Sequence, residues 1–188
     1  ELEYGQIFES NSTMLIAALA QEGVEAKSAR VADNLDETIE KIGQAMAKSD
    51  ILILSGGISV GDHDYVRSSL AELDVKEVFY KVAQKPGKPM LFGLLDGAAL
   101  FGLPGNPRAV MVLFREYVQP FLLAMQGAAS PWMRTALLRV SDAATIKGNR
   151  AEFRAARVRD ARVELLADEG SHMLRSLALA DAIAYIPA

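Results

Sequence analysis

Residues 51–64 read ILILSGGISVGDHD and decide the fold more than any other stretch of this chain. Four aliphatic residues predict a buried strand, a Ser-Gly-Gly turn follows at 55–57, and Gly61 leads into Asp62 and Asp64, where the next helix should begin. Backbone N–H groups at glycine can approach a ligand closely, and a helix N-terminus favours negative charge. The junction is therefore typical of an anion-binding site.

The two aspartates carry the prediction of a metal. Asp62 is suited to cap the following helix whatever else it does, and Asp64 would complement the helix dipole in the same first turn. The alternative interpretation is a Mg²⁺ site, since hard cations prefer carboxylate oxygens. His63 lies between them and is expected to be exposed rather than a ligand. Both interpretations stay open at this point.

The composition excludes several classes of function. The chain has 188 residues, 51% of them hydrophobic, which suffices for one ordinary domain with a small satellite. A net charge of −4 argues against nucleic acid as the main partner. Cysteine is absent, which excludes disulfides, thiolate metal sites and thiol nucleophiles and suits the cytoplasm. No apolar run approaches the ~20 residues that a membrane helix needs.

Strands and amphipathic helices alternate along the first two thirds of the chain, and a long helix follows residue 106. Strands are predicted at 6–8, 25–31, 51–54, 78–82, 89–95 and 98–103. This order predicts an α/β fold with three layers around a mostly parallel sheet. Ligands bind such sheets at the carboxyl ends of the strands, so the turns after Leu54 and Leu103 are expected to share one crevice.

Local signals refine this picture. Asp96-Gly97 predicts a hairpin between the last two strands, and Pro120 should kink the long helix. The chain begins at Glu1 without an initiator methionine, and a strand is predicted almost at once. We therefore expect a piece of a longer protein.

The character of the sequence changes near residues 127–131. Beyond this point, helical periodicity is poor and short strand-like runs appear at 135–140, 152–158 and 163–166. We predict an α/β domain at 1–129 and a small all-β, barrel-like domain at 130–188.

Two further turns are candidates for the site. In Lys85-Pro86-Gly87-Lys88-Pro89 the prolines restrict the backbone, so two ammonium groups are presented in a fairly fixed geometry that suits phosphate or molybdate-like anions. A solvated loop with surface lysines is the alternative. The turn at 102–107, GLPGNP, opens the long helix, where Asn106 and Pro107 fit its cap and first turn and free backbone N–H groups would face a ligand.

Two polar segments receive mainly structural interpretations. Glu9-Ser10-Asn11 closes the predicted first strand and is best explained as a helix cap. The loop at 170–176 is polar and begins with glycine, and we favour a place for it outside the crevice.

Taken together and in this order, SGGISVGDHD, KPGKP and GLPGNP closely resemble the molybdopterin molybdenumtransferase family, which includes MoeA and the E domain of gephyrin. GQIFESN at 5–11 and GSHMLRSLALADAIAYIP at 170–187 resemble the same family. The resemblance implies an enzyme that inserts molybdenum from molybdate into adenylylated molybdopterin, with release of AMP and the help of Mg²⁺. It also implies a cytoplasmic homodimer with small-molecule substrates and no membrane or nucleic-acid partner.

The match of motifs implies the site residues. Catalytic roles, and metal binding for the two aspartates, fall to Asp62, Asp64, Lys85 and Lys88. Substrate-binding roles fall to Glu9, Ser55, Gly56, Gly57, Gly61, Pro104, Gly105, Asn106 and Pro107.

Two departures from the family matter. After GLPGNP the family usually has a small residue and then serine, whereas Arg108-Ala109 stands here. A cap hydroxyl is thereby lost, and a guanidinium is added that either strengthens anion binding or faces solvent. Family members also carry a long N-terminal part that dimerises and completes the site from the partner subunit, so we expect this piece to lack full activity.

Two alternative functions remain at this point. The related molybdopterin adenylyltransferase shares the α/β fold and a glycine-rich turn. A non-catalytic scaffold like the E domain of gephyrin is the other, and an exposed apolar groove between the two domains would support it.

Overall fold

Two β-sheets with flanking helices organise the chain in a computed structural model. The residues that the structure describes are 8–32, 34–58, 65–143, 145, 148–167 and 170–188. The predicted strand at 6–8 therefore lies almost entirely outside the described residues. Among the described helices, none combines the length and the apolar character that a membrane crossing requires.

The first sheet confirms the α/β class. Its elements, with those around it, are α1 (Asn11–Gln21), α2 (Leu35–Met46), β1 (Ile51–Ser55), α3 (Tyr65–Glu72), β2 (Lys76–Tyr80), β3 (Gln84–Lys85), β4 (Leu91–Leu95), β5 (Ala98–Leu103), α4 (Pro107–Leu113), a π-helical segment (Phe114–Val118) and α5 (Gln119–Met125). The strand order is β1-β5-β4-β2. The described strands form a mixed sheet, because β1 pairs with β5 in parallel while β4 pairs antiparallel with both β5 and β2. The predicted hairpin is the cause, since Asp96 and Gly97 turn the chain with φ of 49° and 89°.

Hydrophobic side chains cover both faces of this sheet and give the predicted three layers. Successive residues of β5 point to opposite faces, so Ala99 and Phe101 join one core and Leu100 the other. The first core continues into the helices at either end of this part, α1 and α4–α5. The second continues into α2 and α3. All six residues of β5 are buried, as expected for a central strand.

The predicted strand at 25–31 is wrong. Residues 24–32 are irregular, although Val24 and Ala26 pack against the first core. The alternation of apolar and polar residues reflects this packing. Lys27, Ser28 and Arg30 are exposed, and the segment belongs to neither sheet.

The predicted break near Pro120 takes the form of a π-helical segment. Phe114–Val118 has π-helical hydrogen bonding, and Pro120 stands in the first turn of α5. Proline has no N–H to donate to the carbonyl of Glu116, so the regular α-helical ladder cannot continue there. Phe114 and Val118 stay fully buried through this segment.

The second sheet confirms the small β-domain and enlarges it. Its elements are β6 (Arg139–Val140), β7 (Ala151–Arg159), β8 (Arg162–Leu165), α6 (Arg175–Ala178) and β9 (Ala182–Ile186). The central strand β7 pairs antiparallel with β8 and β9. Strand β9 was missed by the sequence reasoning, although its alternating residues AIAYI carry the signal. The strand predicted at 135–140 is reduced to two residues.

A strand from the first part of the chain belongs to this second sheet. Gln84 and Lys85 of β3 pair in parallel with Ala151 and Glu152 of β7. The turn at 85–89, which we call the lysine turn, therefore begins within the hydrogen-bonded ladder of the second, C-terminal sheet. The domain boundary at 129/130 stays a prediction. Strand β3 precedes this boundary in the sequence but pairs within the second sheet.

Candidate functional site

Strand register brings the three predicted turns to one edge of the first sheet. Ser55 at the end of β1 lies beside Leu103 at the end of β5. Leu91, at the start of β4, lies beside Gly102. The turns at 55–57, 85–89 and 102–107 therefore leave the sheet along one edge, which we call the turn edge.

The turns at 55–57 and 102–107, which we call the glycine turns, touch directly. The N–H of Gly56 donates to the carbonyl of Leu103 at 2.9 Å. A Cβ built on Gly105 would lie 3.7 Å from the Cα of Gly56. A Cβ at Gly105 would thus be in ordinary van der Waals contact with the backbone of Gly56, so side chains larger than alanine have little room at position 105.

Asn11, at the start of α1, joins both turns. Its Nδ2 donates to the Ser55 hydroxyl and to the Gly105 carbonyl, each at 2.9 Å. The side chain is buried, and its Oδ1 has no hydrogen-bond partner among the described residues. Sequence reasoning treated Asn11 only as part of a helix cap. The missed contact with Gly105 spans 94 residues of sequence, and no local pattern predicts it.

The first glycine turn fits tightly against its surroundings. Gly57 has φ +66°, and a Cβ there would lie 2.7 Å from Val66 Cγ2. The carbonyl of Ile58 accepts from the Tyr80 hydroxyl at 3.0 Å, and Ile58 itself is fully buried. The turn is therefore held from α3 on one side and from β2 on the other.

Asn106 caps α4 as predicted, and this cap limits the number of free N–H groups. Its Oδ1 accepts from the N–H of Arg108 at 3.0 Å and of Ala109 at 3.3 Å. The N–H of Arg108 also points to the Ser171 carbonyl at 3.4 Å. Two of the donors expected to face a ligand are thus already satisfied. What this junction offers an anion is mainly the positive end of the helix.

Arg108 does not face solvent. It is only 3% exposed, and its Nη1 donates to the Ser176 hydroxyl at 2.6 Å. The loop at 170–176, which we had expected outside the crevice, therefore reaches the start of α4. The prediction for this loop was wrong because the backbone and the side chain of Arg108 both hydrogen-bond to it, through Ser171 and Ser176.

The two lysines of the lysine turn differ. Lys85 pairs with the buried carboxylate of Glu152, with Nζ 3.2 Å from Oε1. Arg154 lies 3.8 Å from the other oxygen of Glu152. Lys88 is exposed. A Cβ on Gly87 would lie 2.8 Å from Leu113, so the turn itself packs tightly on α4. Part of the positive charge that was expected to bind a ligand is thus already balanced by the carboxylate of Glu152.

Glu9 takes the structural interpretation that the sequence favoured. Its carboxylate accepts from the N–H of Ser12 at 2.9 Å and from the Ser12 hydroxyl, which closes the start of α1. The hydroxyl of Ser12 is the main cause that lowers the pKa of Glu9. The residue is exposed, and its carboxylate contacts are local.

Gly61, Asp62 and Asp64 lie outside the described residues. Within the part of the chain that is described, no three His, Asp or Glu side chains cluster closely enough to hold a metal. A shallow open depression lined by 46–50 and 96–98 lies at the opposite edge of the sheet. It is remote from all three turns.

The family of probable molybdopterin binding domains matches residues 1–124, and the MoeA C-terminal region (domain IV) matches residues 137–188. The chain belongs to the molybdopterin-binding domain family. The predicted resemblance is thereby confirmed, and the second match shows that the β-domain beyond residue 137 is the one found in MoeA.

Proteins named molybdopterin molybdenumtransferase are similar to this chain. The one from Staphylococcus epidermidis is 40% identical over 129 residues, which is 68% of this chain and 31% of the relative. The one from a Nostoc species is 42% identical over 135 residues, 70% of this chain and 31% of the relative. The chain thus spans about a third of the length of these relatives.

A solved structure extends the similarity to the whole chain. The molybdopterin biosynthesis MoeA protein from Pyrococcus horikosii superposes with a TM-score of 0.80 at 27% identity. The superposition covers 100% of this chain and 46% of the Pyrococcus chain. Both sheets are therefore arranged as in a MoeA protein.

Proposed function

We propose that this chain carries the molybdopterin-binding part of a molybdopterin molybdenumtransferase, which acts in molybdenum cofactor biosynthesis. The reaction would insert molybdenum from molybdate into adenylylated molybdopterin and release AMP. The names of the relatives and the match to both MoeA regions support this assignment. We further propose a cytoplasmic homodimer, in which the partner subunit completes the site.

The observation that carries the proposal is the position of three unusual turns at one edge of the sheet, two of which touch. Two of them supply closely approaching backbone, and the third supplies ammonium groups. Backbone N–H groups and fixed cations together recognise the oxyanions of a phosphoanhydride and of molybdate. Catalysis would then rest on positioning and on electrostatic stabilisation of the developing charge.

Individual roles follow from this arrangement. The turn at 55–57 would hold the phosphate or nucleotide side of the ligand. Lys85 and Lys88 would neutralise phosphate or molybdate, with Lys88 the more available charge because Lys85 already pairs with Glu152. Residues 104–107 would shape the opposite wall. Glu9 would act only through the start of α1, which places Asn11.

Asp62 and Asp64 would hold a divalent cation. Two carboxylates beside a phosphate-binding turn are the donor set that Mg²⁺ prefers, so the chemistry of these residues fits the ion. Bound there, Mg²⁺ would neutralise charge on the phosphoanhydride oxygens.

The two alternative functions fit less well. A molybdopterin adenylyltransferase would share the first part of the chain, but residues 137–188 match the C-terminal region of MoeA. A non-catalytic scaffold gains no support from the turn edge, where the contact between the start of α4 and the C-terminal part is a buried polar one, from Arg108 to Ser176.

Calorimetric titration of adenylylated molybdopterin into the 188-residue chain tests the proposal. We expect binding that strengthens when Mg²⁺ is added, and an Asp62→Ala variant that has lost this Mg²⁺ effect. Failure of the parent chain to bind would contradict the proposed site. Equal binding by both proteins with and without Mg²⁺ would remove Asp62 from the metal role.

A further inference from the structure

We propose that Tyr117 and Gln84 are positioning residues that set the path of the lysine turn. The proposal rests on the proposed function, since it concerns how the two lysines are presented to the ligand. Neither residue belongs to the sequence motifs that suggested the site. The observation behind it is a partly buried relay of hydrogen bonds that runs from the long helix to the backbone between the two lysines.

The side-chain amide of Gln84 uses both of its ends. Its Oε1 accepts from the hydroxyl of Tyr117, and its Nε2 donates to the carbonyl of Pro86 at 3.1 Å. A backbone carbonyl only accepts, which fixes the orientation of the amide and directs Oε1 to the phenol. Gln84 is 2% exposed, so water cannot replace either partner easily.

The π-helical segment presents Tyr117 to this amide. A π-helical turn holds more residues than an α-helical turn, so it changes the direction in which the residues within it point. Burial raises the pKa of the Tyr117 phenol, and the nearby charges of Glu116 and Tyr185 raise it further. The phenol therefore remains a neutral O–H donor throughout the neutral pH range.

Other contacts hold the same turn from different sides. Strand pairing with β7 fixes the backbone at Gln84 and Lys85, and Arg150 Nη1 approaches the Gln84 carbonyl at 3.4 Å. Gly87 packs against Leu113. Among these restraints, the relay alone acts on the carbonyl of Pro86, which lies between the two lysines. It is also the restraint that the loss of one oxygen atom interrupts.

Tyr117→Phe makes this interruption with little change of shape. We expect adenylylated molybdopterin to bind about fivefold to tenfold more weakly to this variant, since one hydrogen bond of the turn is lost. Hydrogen exchange of the peptide 82–90 should become faster in the ligand-free variant, while that of 51–58 stays unchanged. Tyr80→Phe is the control, because it removes a hydroxyl that donates to the carbonyl of Ile58, so it should speed exchange at 51–58 and leave that at 82–90 unchanged.

A second variant separates the relay from simple packing. Gln84→Met keeps the length of the side chain and removes both hydrogen bonds, so it should weaken binding at least as much as Tyr117→Phe. The double variant should then be no weaker than Gln84→Met alone, because both changes break one relay.

Unchanged exchange at 82–90 in Tyr117→Phe would overturn the positioning role, and so would unchanged affinity. Additive losses in the double variant would also contradict a single relay. If the parent chain fails to bind, the proposed function fails, while the exchange measurement still decides whether the relay sets the turn.

Discussion

The glycine turns and the lysine turn lie at the same sheet edge, but different parts of the chain hold them. The glycine turns are held within the first part, by the Gly56–Leu103 hydrogen bond and by Asn11. The lysine turn contacts the long helix and is held in addition from the C-terminal sheet, through β3 and through Glu152.

The difference assigns separate tasks to the two sheets. The backbone wall of the site follows from the α/β fold, whereas its charged wall depends on the small β-domain. Arg108, at the start of α4, adds a third contact with the C-terminal domain, because its guanidinium hydrogen-bonds to Ser176. The C-terminal domain is thus a component of the proposed site rather than an appendage.

The largest effect is expected at the glycine wall. Gly57→Ala should lower the free energy of unfolding by about 3 kcal/mol, since a positive φ and a clash with Val66 act together. Gly56→Ala is the matched control, because φ there is +91° but a Cβ would meet no described atom within 4 Å. We expect it to lose only about 1 kcal/mol. Chemical denaturation measures both, and equal losses would contradict the tight fit of Gly57.

Asn11 tests whether the glycine wall is a ligand site as well as a fold element. Asn11→Ala should cost about 2 kcal/mol of stability and weaken ligand binding, because two hydrogen bonds that join the turns disappear. Asn34→Ala is the control, since Asn34 caps α2 through the N–H of Glu37 and its hydrogen bonds to described residues stay within 32–38. It should cost about 1 kcal/mol and leave the calorimetric affinity unchanged. Equal losses of affinity in Asn11→Ala and Asn34→Ala would mean that Asn11 affects binding only through general stability.

The two lysines sharpen the other half of the comparison. Lys85→Ala should lower the free energy of unfolding by about 1 kcal/mol, because Glu152 would keep a buried carboxylate with one partner fewer. Lys88→Ala should change stability by less than about 0.5 kcal/mol, since Lys88 is exposed. Both should weaken binding in calorimetry. A stable Lys85→Ala variant would mean that the C-terminal sheet does not depend on this pair.

The smallest effect concerns Glu9. Its pKa is lowered in the folded chain from the ordinary value of 4.5, so its contribution to stability is present above that pH. The contribution is lost as the pH falls through the lowered value. The melting temperature of Glu9→Gln should therefore fall less between pH 5 and pH 3 than that of the parent, by a small margin (about 1 °C). A steeper fall would reverse the sign of this argument.

Local chemistry accounts for what the sequence could predict. The strand at 51–54, the Asp96-Gly97 hairpin and the break before Pro120 each follow from residues close together in the chain. The common position of the turns after Leu54 and Leu103 was also predicted, because the carboxyl ends of parallel strands meet at one edge of a sheet.

Contacts between distant residues account for what it could not. The Lys85–Glu152 pair spans 67 residues and the Arg108–Ser176 contact 68, so neither has a local pattern. The wrong strand at 25–31 has a different cause. Apolar and polar residues alternate there as in a strand, but the segment joins neither sheet. The roles of Asp62 and Asp64 stay predictions.

Hydrogen exchange with and without adenylylated molybdopterin tests the central claim most directly, that three turns form one site. We predict that the ligand slows exchange in all three segments of the turn edge, 55–58, 84–90 and 103–108, and leaves the hairpin at 95–98 on the opposite edge unchanged. Protection of one turn alone, or of the opposite edge, would contradict the account.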